Sequence, residues 1–243
     1  VCHVLIWEIC GFSIFLAYFV VKQLQQTNSM PEQPFRLRLT YAKTEAMRYT
    51  GHLDVQRTLE RMFRRAGLPL LHTQGYHPRP KMHLAAALPL GCTSEHEIAE
   101  FWLKRPMPVE EVENALRAAS PPGIEVLGVE AVPPDNPPLP NLVVASEYII
   151  TFLDPMPELP QKVKSLLKAE QLPRTRRGKN YDLRPLIEAL EILPPDAEGH
   201  QRVKARLSAR QGATGRPDEL ADELGAPIST ERIHRVKQIL GNG

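Results

Sequence analysis

Between Val132 and Asn141 the chain reads Pro-Pro-Asp-Asn-Pro-Pro-Leu-Pro, and this stretch restricts the fold more than any other. Pro133, Pro134, Pro137, Pro138 and Pro140 offer no backbone N–H to a sheet ladder, so no central strand runs through them. The sequence thus divides into a first lobe over residues 30–132, a stiff Pro-rich linker over 133–145, and a second, smaller α+β lobe over 146–243. With 24 prolines against 14 glycines in 243 residues, the elements on either side are expected to be interrupted often.

In the first lobe Phe35, Leu37, Leu39 and Tyr41 alternate with Arg36, Arg38 and Thr40, the period of a strand with one buried face. Residues 53–66 place Val55, Leu59, Met62, Phe63 and Ala66 on one helical face, and Gly67 and Pro69 mark the end of that helix. An extended stretch, Leu70–Gln74, leads into the loop Gly75–Lys81. Strands follow at Met82–Leu90 and Glu97–Lys104, then a helix at Val109–Ala119 behind Pro108, and a strand at Ile124–Val132. This order, strand, helix, strand, strand, helix, strand, is that of a ferredoxin-like unit.

In the second lobe strands are expected at Glu147–Leu153 and Gln201–Arg210, helices at Pro157–Ala169 and Pro217–Leu224, and a closing strand at Ile233–Leu240. The fold expected is α+β: two ferredoxin-like lobes in a duplicated βαββαβ architecture, behind an apolar N-terminal segment. The duplication rests on element order, since no residue-level repeat links the lobes.

Net charge is only +2, but it is unevenly spread. From Arg36 to Lys81 ten basic residues face three acidic ones, and from Glu95 to Asp135 the balance reverses. Such polarity favours an acidic partner at one face. Arg57, Arg61 and Arg64, at helical spacings of four and three, make a basic stripe able to meet several phosphates. In the adjoining loop Tyr76 and His77 are suited to stacking on bases, Arg79 and Lys81 to pairing with phosphate. Arg176, Arg177 and Lys179, in a dense basic loop of the second lobe, extend the same candidate nucleic-acid or substrate surface. The alternatives are a solvated face for the helix stripe, a loop that simply caps the core for Gln74–Lys81, and a disordered, soluble loop in the second lobe.

His52 and His77 are the candidates for acid–base chemistry. Asp54, beside His52, is better explained as a partner of the helix dipole. His52, His72, His77, His83 and His96 lack the spacing of a metal site, and none is expected. No GxxxxGK[ST], GxSxG or HExxH motif occurs in the sequence.

Of Cys2, Cys10 and Cys92 only the last lies in the globular part, which fits a reducing, cytoplasmic setting and no cofactor held by this chain. Residues 1–29 form an apolar extension in which Val4–Val21 is interrupted by Glu8 and has no basic flank before it. Two expectations attach to it: upstream translation of a protein whose natural start is Met30, or a membrane anchor of near-minimal length with Lys22 on the inner side.

The segments Tyr49-Thr50-Gly51-His52-Leu53-Asp54, Glu60 to Pro69, Gln74 to Lys81 and Leu88-Pro89-Leu90-Gly91 resemble the radical-SAM-linked family of bacterial proteins. The likeness continues more weakly through Tyr181 to Ile187 and Arg216 to Glu219. In that family the domain occurs alone or fused behind a radical SAM module, and its function is not established. The resemblance implies a radical SAM enzyme as partner, with the iron–sulfur cluster and S-adenosylmethionine carried there. The leading expectation is therefore an accessory module that binds RNA or presents a substrate. The alternatives are an RNA-processing enzyme with a His acid–base, and a protein-binding subunit. A membrane enters only if residues 4–21 are present.

Overall fold

The computed structural model describes residues 34–176, 178–226 and 231–241. The apolar run Val4–Val21, the reading of Met30 as the start and the candidate Arg177 lie outside these residues. The architecture is α+β. In chain order the elements are β1 (Phe35–Lys43), α1 (His52–Arg65), β2 (Met82–Leu84), β3 (Cys92–Leu103), α2 (Val109–Ala119), β4 (Ile124–Ala131) and α3 (Leu139–Leu142). The second half adds β5 (Val143–Phe152), α4 (Leu159–Lys168), β6 (Pro173–Arg176), β7 (Lys179–Asp182), β8 (Ile187–Leu193), β9 (Gln201–Arg210), β10 (Ala213–Thr214), α5 (Pro217–Glu223) and β11 (Glu231–Leu240).

Among the described residues nine strands form one sheet with the path β10-β9-β5-β11-β3-β1-β4, on which β2 pairs with β3 and β8 with β9. In the first half β1 lies between β3 and β4, antiparallel to both, and β2 is antiparallel to β3. The second half repeats this arrangement: β5 lies between β9 and β11, antiparallel to both, and β8 is antiparallel to β9. A short parallel pairing joins the halves, with Ile233, His234 and Arg235 of β11 opposite Cys92, Thr93 and Ser94 of β3.

The period-two and helical stripes read from the sequence are the two cores. Leu37, Leu39 and Tyr41 of β1 meet Leu59, Met62 and Phe63 of α1 and Leu116 of α2, and the Phe63 and Phe101 rings stack with centroids 4.5 Å apart. In the second half Ile150, Phe152, Val203 and Leu207 pack beneath Leu159 and Val163 of α4 and Leu220 of α5. Each such side chain contributes about 1.5–3 kcal/mol by leaving water.

Several boundaries differ from the sequence expectation, each for a tertiary reason. The strand expected at Met82–Leu90 stops at Leu84, because the Arg235 guanidinium draws the carbonyls of Ala86 (3.3 Å) and Ala87 (2.7 Å) out of the sheet. β3 begins at Cys92, five residues before the expected Glu97, where β11 supplies its partner. The Pro-rich stretch is no free spacer. Arg36 donates to the carbonyls of Asn136 (2.7 Å) and Pro137 (2.8 Å), pinning it to the sheet, and Leu139–Leu142 coils into α3. The basic loop of the second half is a hairpin, β6–β7, closed through Gly178 at φ 76°. Among the described residues no helix is long and apolar enough to cross a membrane.

Candidate nucleic-acid interface

The apolar stripe of α1 faces the sheet, which turns Arg57, Arg61, Arg64 and Arg65 to solvent. The chain then forms a ribbon. Leu71 N–H donates to the Trp102 carbonyl, Lys81 N–H to that of Leu71 (2.7 Å) and Thr73 N–H to that of Arg79 (2.8 Å), so residues 73–79 are a closed loop leaving the sheet beside Trp102. At its tip Tyr76 is 95% exposed, with the His77 ring edge-on to it at 5.1 Å. At its base the Lys81 ammonium lies 4.7 Å from the centre of the Trp102 ring, a cation–π contact.

Helix and ribbon meet over Glu60. This carboxylate is only 4% exposed, with Arg64 of the helix 3.7 Å away and Arg79 of the ribbon 3.6 Å away. Among the described residues its Oε1 has no hydrogen-bond partner, and the buried charge is balanced by these two looser ion pairs. Arg57 pairs with Asp54 at 3.1 Å on the exposed helix surface. Five arginines therefore share this face with two carboxylates, and an exposed tyrosine and histidine stand at its edge. Seven of the sequence candidates, Arg57, Arg61, Arg64, Tyr76, His77, Arg79 and Lys81, come together here.

The remaining candidates lie elsewhere. Arg176 and Lys179 flank the β6–β7 turn in the second half. His52 lines a cavity of about 10 Å³ with Tyr41, Lys43, Thr50 and Glu97, room for one water molecule. Burial lowers the pKa of His52 and also that of Lys43, and raises that of Tyr41 well above the phenolic range.

Behind that cavity lies a buried polar junction that sequence reasoning missed. Arg235, 1% exposed, donates through Nη1 to both oxygens of Glu97 (2.9 and 3.0 Å) and through Nη2 to the Tyr148 hydroxyl (3.0 Å). Gln238 donates to the same carboxylate at 3.3 Å, and Lys43 to the carbonyls of Arg48 and Cys92. A second buried group, Arg36–Glu100–Arg38, sits on the other sheet face with Glu100 fully buried. The alternation of Arg36 and Arg38 with apolar residues in β1 is a signal for the latter. None exists for Arg235, whose partners lie on distant elements. The i, i+4 spacing of Glu60 and Arg64 was legible, but not the burial of Glu60.

An α+β protein carrying a cationic, aromatic-tipped face on its first half is thus the class defined by fold and site. The chain belongs to the bacterial family described as uncharacterized protein conserved in bacteria (DUF2344), whose profile matches residues 36–217. No curated protein matches it in sequence. Among solved structures it is similar to a chain of a Cbf5–Nop10–Gar1 complex, with a TM-score of 0.44 and 9% identity over 83% of this chain. It covers 48% of that chain, about half its length.

Proposed function

We propose that this protein is a cytoplasmic accessory module of two ferredoxin-like halves that binds RNA through the α1 face and presents it to a radical SAM enzyme on another polypeptide. The observation that carries the RNA part is the meeting of Arg64 and Arg79 over the buried Glu60, which holds the helix stripe and the Tyr76 ribbon as one surface. From Arg57 to Arg64 the stripe covers about 10 Å of helix, enough to follow more than one phosphate of a strand. Tyr76 and His77 supply faces on which unpaired bases stack, at about 1–3 kcal/mol per base. The radical SAM partner, its iron–sulfur cluster and S-adenosylmethionine rest on the family resemblance alone.

A second reading, a protein-docking subunit, is favoured by Tyr49, Leu53 and Leu90. These three large side chains are 75%, 66% and 65% exposed. Arg48 and Gly91 hold Tyr49 and Leu90 close together by bonding each other twice, Gly91 N–H to the Arg48 carbonyl (3.1 Å) and Arg48 Nε to the Gly91 carbonyl (2.8 Å).

Capture from lysate with and without ribonuclease, followed by RNA sequencing and mass spectrometry, tests both readings. A discrete RNA lost with Arg61→Glu and Arg64→Glu, together with a radical SAM protein, is the expected result. A radical SAM protein retained after ribonuclease, without RNA, favours docking alone, and recovery of neither overturns both.

A further inference from the structure

The β6–β7 hairpin belongs to no part of the large sheet. It is latched to α5: Arg174 pairs with Asp222 (2.5 Å) and Glu223 (3.3 Å), and the Tyr181 hydroxyl donates to Glu219. Burial and that hydrogen bond push the Tyr181 hydroxyl up to about 12, so it remains a donor at any physiological pH. Held this way, the hairpin roofs a cleft in two bays of about 610 and 370 Å³ that share Arg176 and Thr214. Lys179, Asn180, Tyr181 and Leu186 border the outer bay; Leu88, Pro89, Tyr148 and Arg216 border the inner one.

The charge of the cleft is decided by which partners are already taken. Asp182, the carboxylate in its wall, accepts from the backbone N–H groups of Leu172 (2.7 Å) and Arg184 (2.9 Å). Arg216 is tied to Asp218 at 2.5 Å. Arg176 and Lys179 form no ion pair among the described residues, so with Asp182 held by backbone donors they leave a net positive rim beside walls of tyrosine, leucine and proline. Bays of this size suit a small organic ligand, and the lining pairs apolar and aromatic surface with a few convergent polar groups.

We infer that this cleft binds a nucleoside phosphate, with the phosphate between Arg176 and Lys179 and the planar base against Tyr181 and Leu186. Two cations from opposite arms of one hairpin recognise the anion, and the apolar walls require a flat, partly apolar body on it. The ligand is a free nucleotide or the terminal nucleotide of an RNA. Along β3, the eight steps from Ser94, next to Arg235, to Trp102, next to the ribbon, span roughly 26 Å, so this site is separate from the Tyr76 ribbon. It holds whether or not the α1 face binds RNA.

Isothermal titration of the full chain tests it with AMP, GMP, CMP and UMP, with adenosine, with inorganic phosphate, and with a 5′-phosphorylated pentanucleotide. Saturable one-site binding of at least one monophosphate is expected, weakened about tenfold or more by Arg176→Glu with Lys179→Glu, and within about twofold of wild type in Arg57→Glu with Arg61→Glu. Leu186→Arg, which fills the outer bay, is a second variant expected to abolish binding. Adenosine and inorganic phosphate are each expected to bind at least about tenfold more weakly than the monophosphate. In the Arg57→Glu, Arg61→Glu protein, a pentanucleotide tighter than the monophosphate and weakened by the cleft variants assigns the site to an RNA end, and the reverse to a free nucleotide. Absence of binding at about 5 mM ligand, binding untouched by the cleft variants, or inorganic phosphate matching the monophosphates overturns the inference.

Discussion

Glu97→Ala is the substitution that most severely tests the junction between the halves. The carboxylate is buried, accepts both bonds from Arg235 Nη1, and receives a third hydrogen bond from Gln238. Removing it leaves a guanidinium 1% exposed with its charge unopposed, and breaking one side of a buried pair costs about 3–5 kcal/mol. Glu97→Gln separates charge from shape. The amide keeps the shape and one acceptor for Arg235, but it no longer opposes the buried charge and turns an NH2 toward Arg235 Nη1 or Gln238, so the loss is expected to stay close to that of the alanine change, about 3–5 kcal/mol. Urea unfolding followed by circular dichroism measures both, with the slope m unchanged if only stability is altered. The same alanine change is expected to loosen the Ala86–Leu90 segment, read as faster amide exchange there, because Arg235 holds its carbonyls. A cost for Glu97→Ala below about 1 kcal/mol, or a Glu97→Gln protein as stable as wild type, would refute the reasoning.

Two further outcomes follow from burial. The Cys92 thiol is buried and pushed up to about 11, chiefly by desolvation, so at pH 8 it stays a thiol. Peptide mapping after iodoacetamide should find Cys92 unmodified in the folded chain and labelled in urea; rapid native labelling would contradict this. Burial also holds His52 and His83 below the usual imidazole value. The unfolded chain therefore takes up protons near pH 6.5 where the folded chain does not, and stability is full above that pH and falls as pH drops through it. Urea midpoints at pH 7.5 and 5.5 should differ less in His52→Gln with His83→Gln than in wild type, and equal differences would count against this assignment.

The local patterns of the sequence survived folding where a single element decided them. α2 has the expected bounds of Val109–Ala119 and β9 those of Gln201–Arg210, because Pro108 and the strict alternation of Val203, Ala205 and Leu207 are local signals. β8 went unread, since Glu188 and Glu191 interrupt its apolar residues and a register shift between Ile187 and Ala189 breaks the alternation. The basic stripe and the Tyr76 loop were both legible as separate features. Their union was not, because it depends on Glu60 being buried between them, and nothing in a helix spacing reports which glutamate loses its water. The cleft was equally hidden: Leu88 and Pro89, Tyr181, and Arg216 and Pro217 are distant in sequence and meet only through the sheet path.

Binding of a fluorescent single-stranded RNA across a salt series tests the central claim most directly. With Arg57, Arg61, Arg64 and Arg79 each at a phosphate, log K should fall with log salt at a slope of about −2 to −3, at about −0.7 per contact. Arg61→Glu with Arg64→Glu should flatten that slope by at least about 1, and Tyr76→Ala should weaken binding at every salt concentration without changing it. RNA binding that ignores salt, is unchanged in these variants, or is absent would contradict the account.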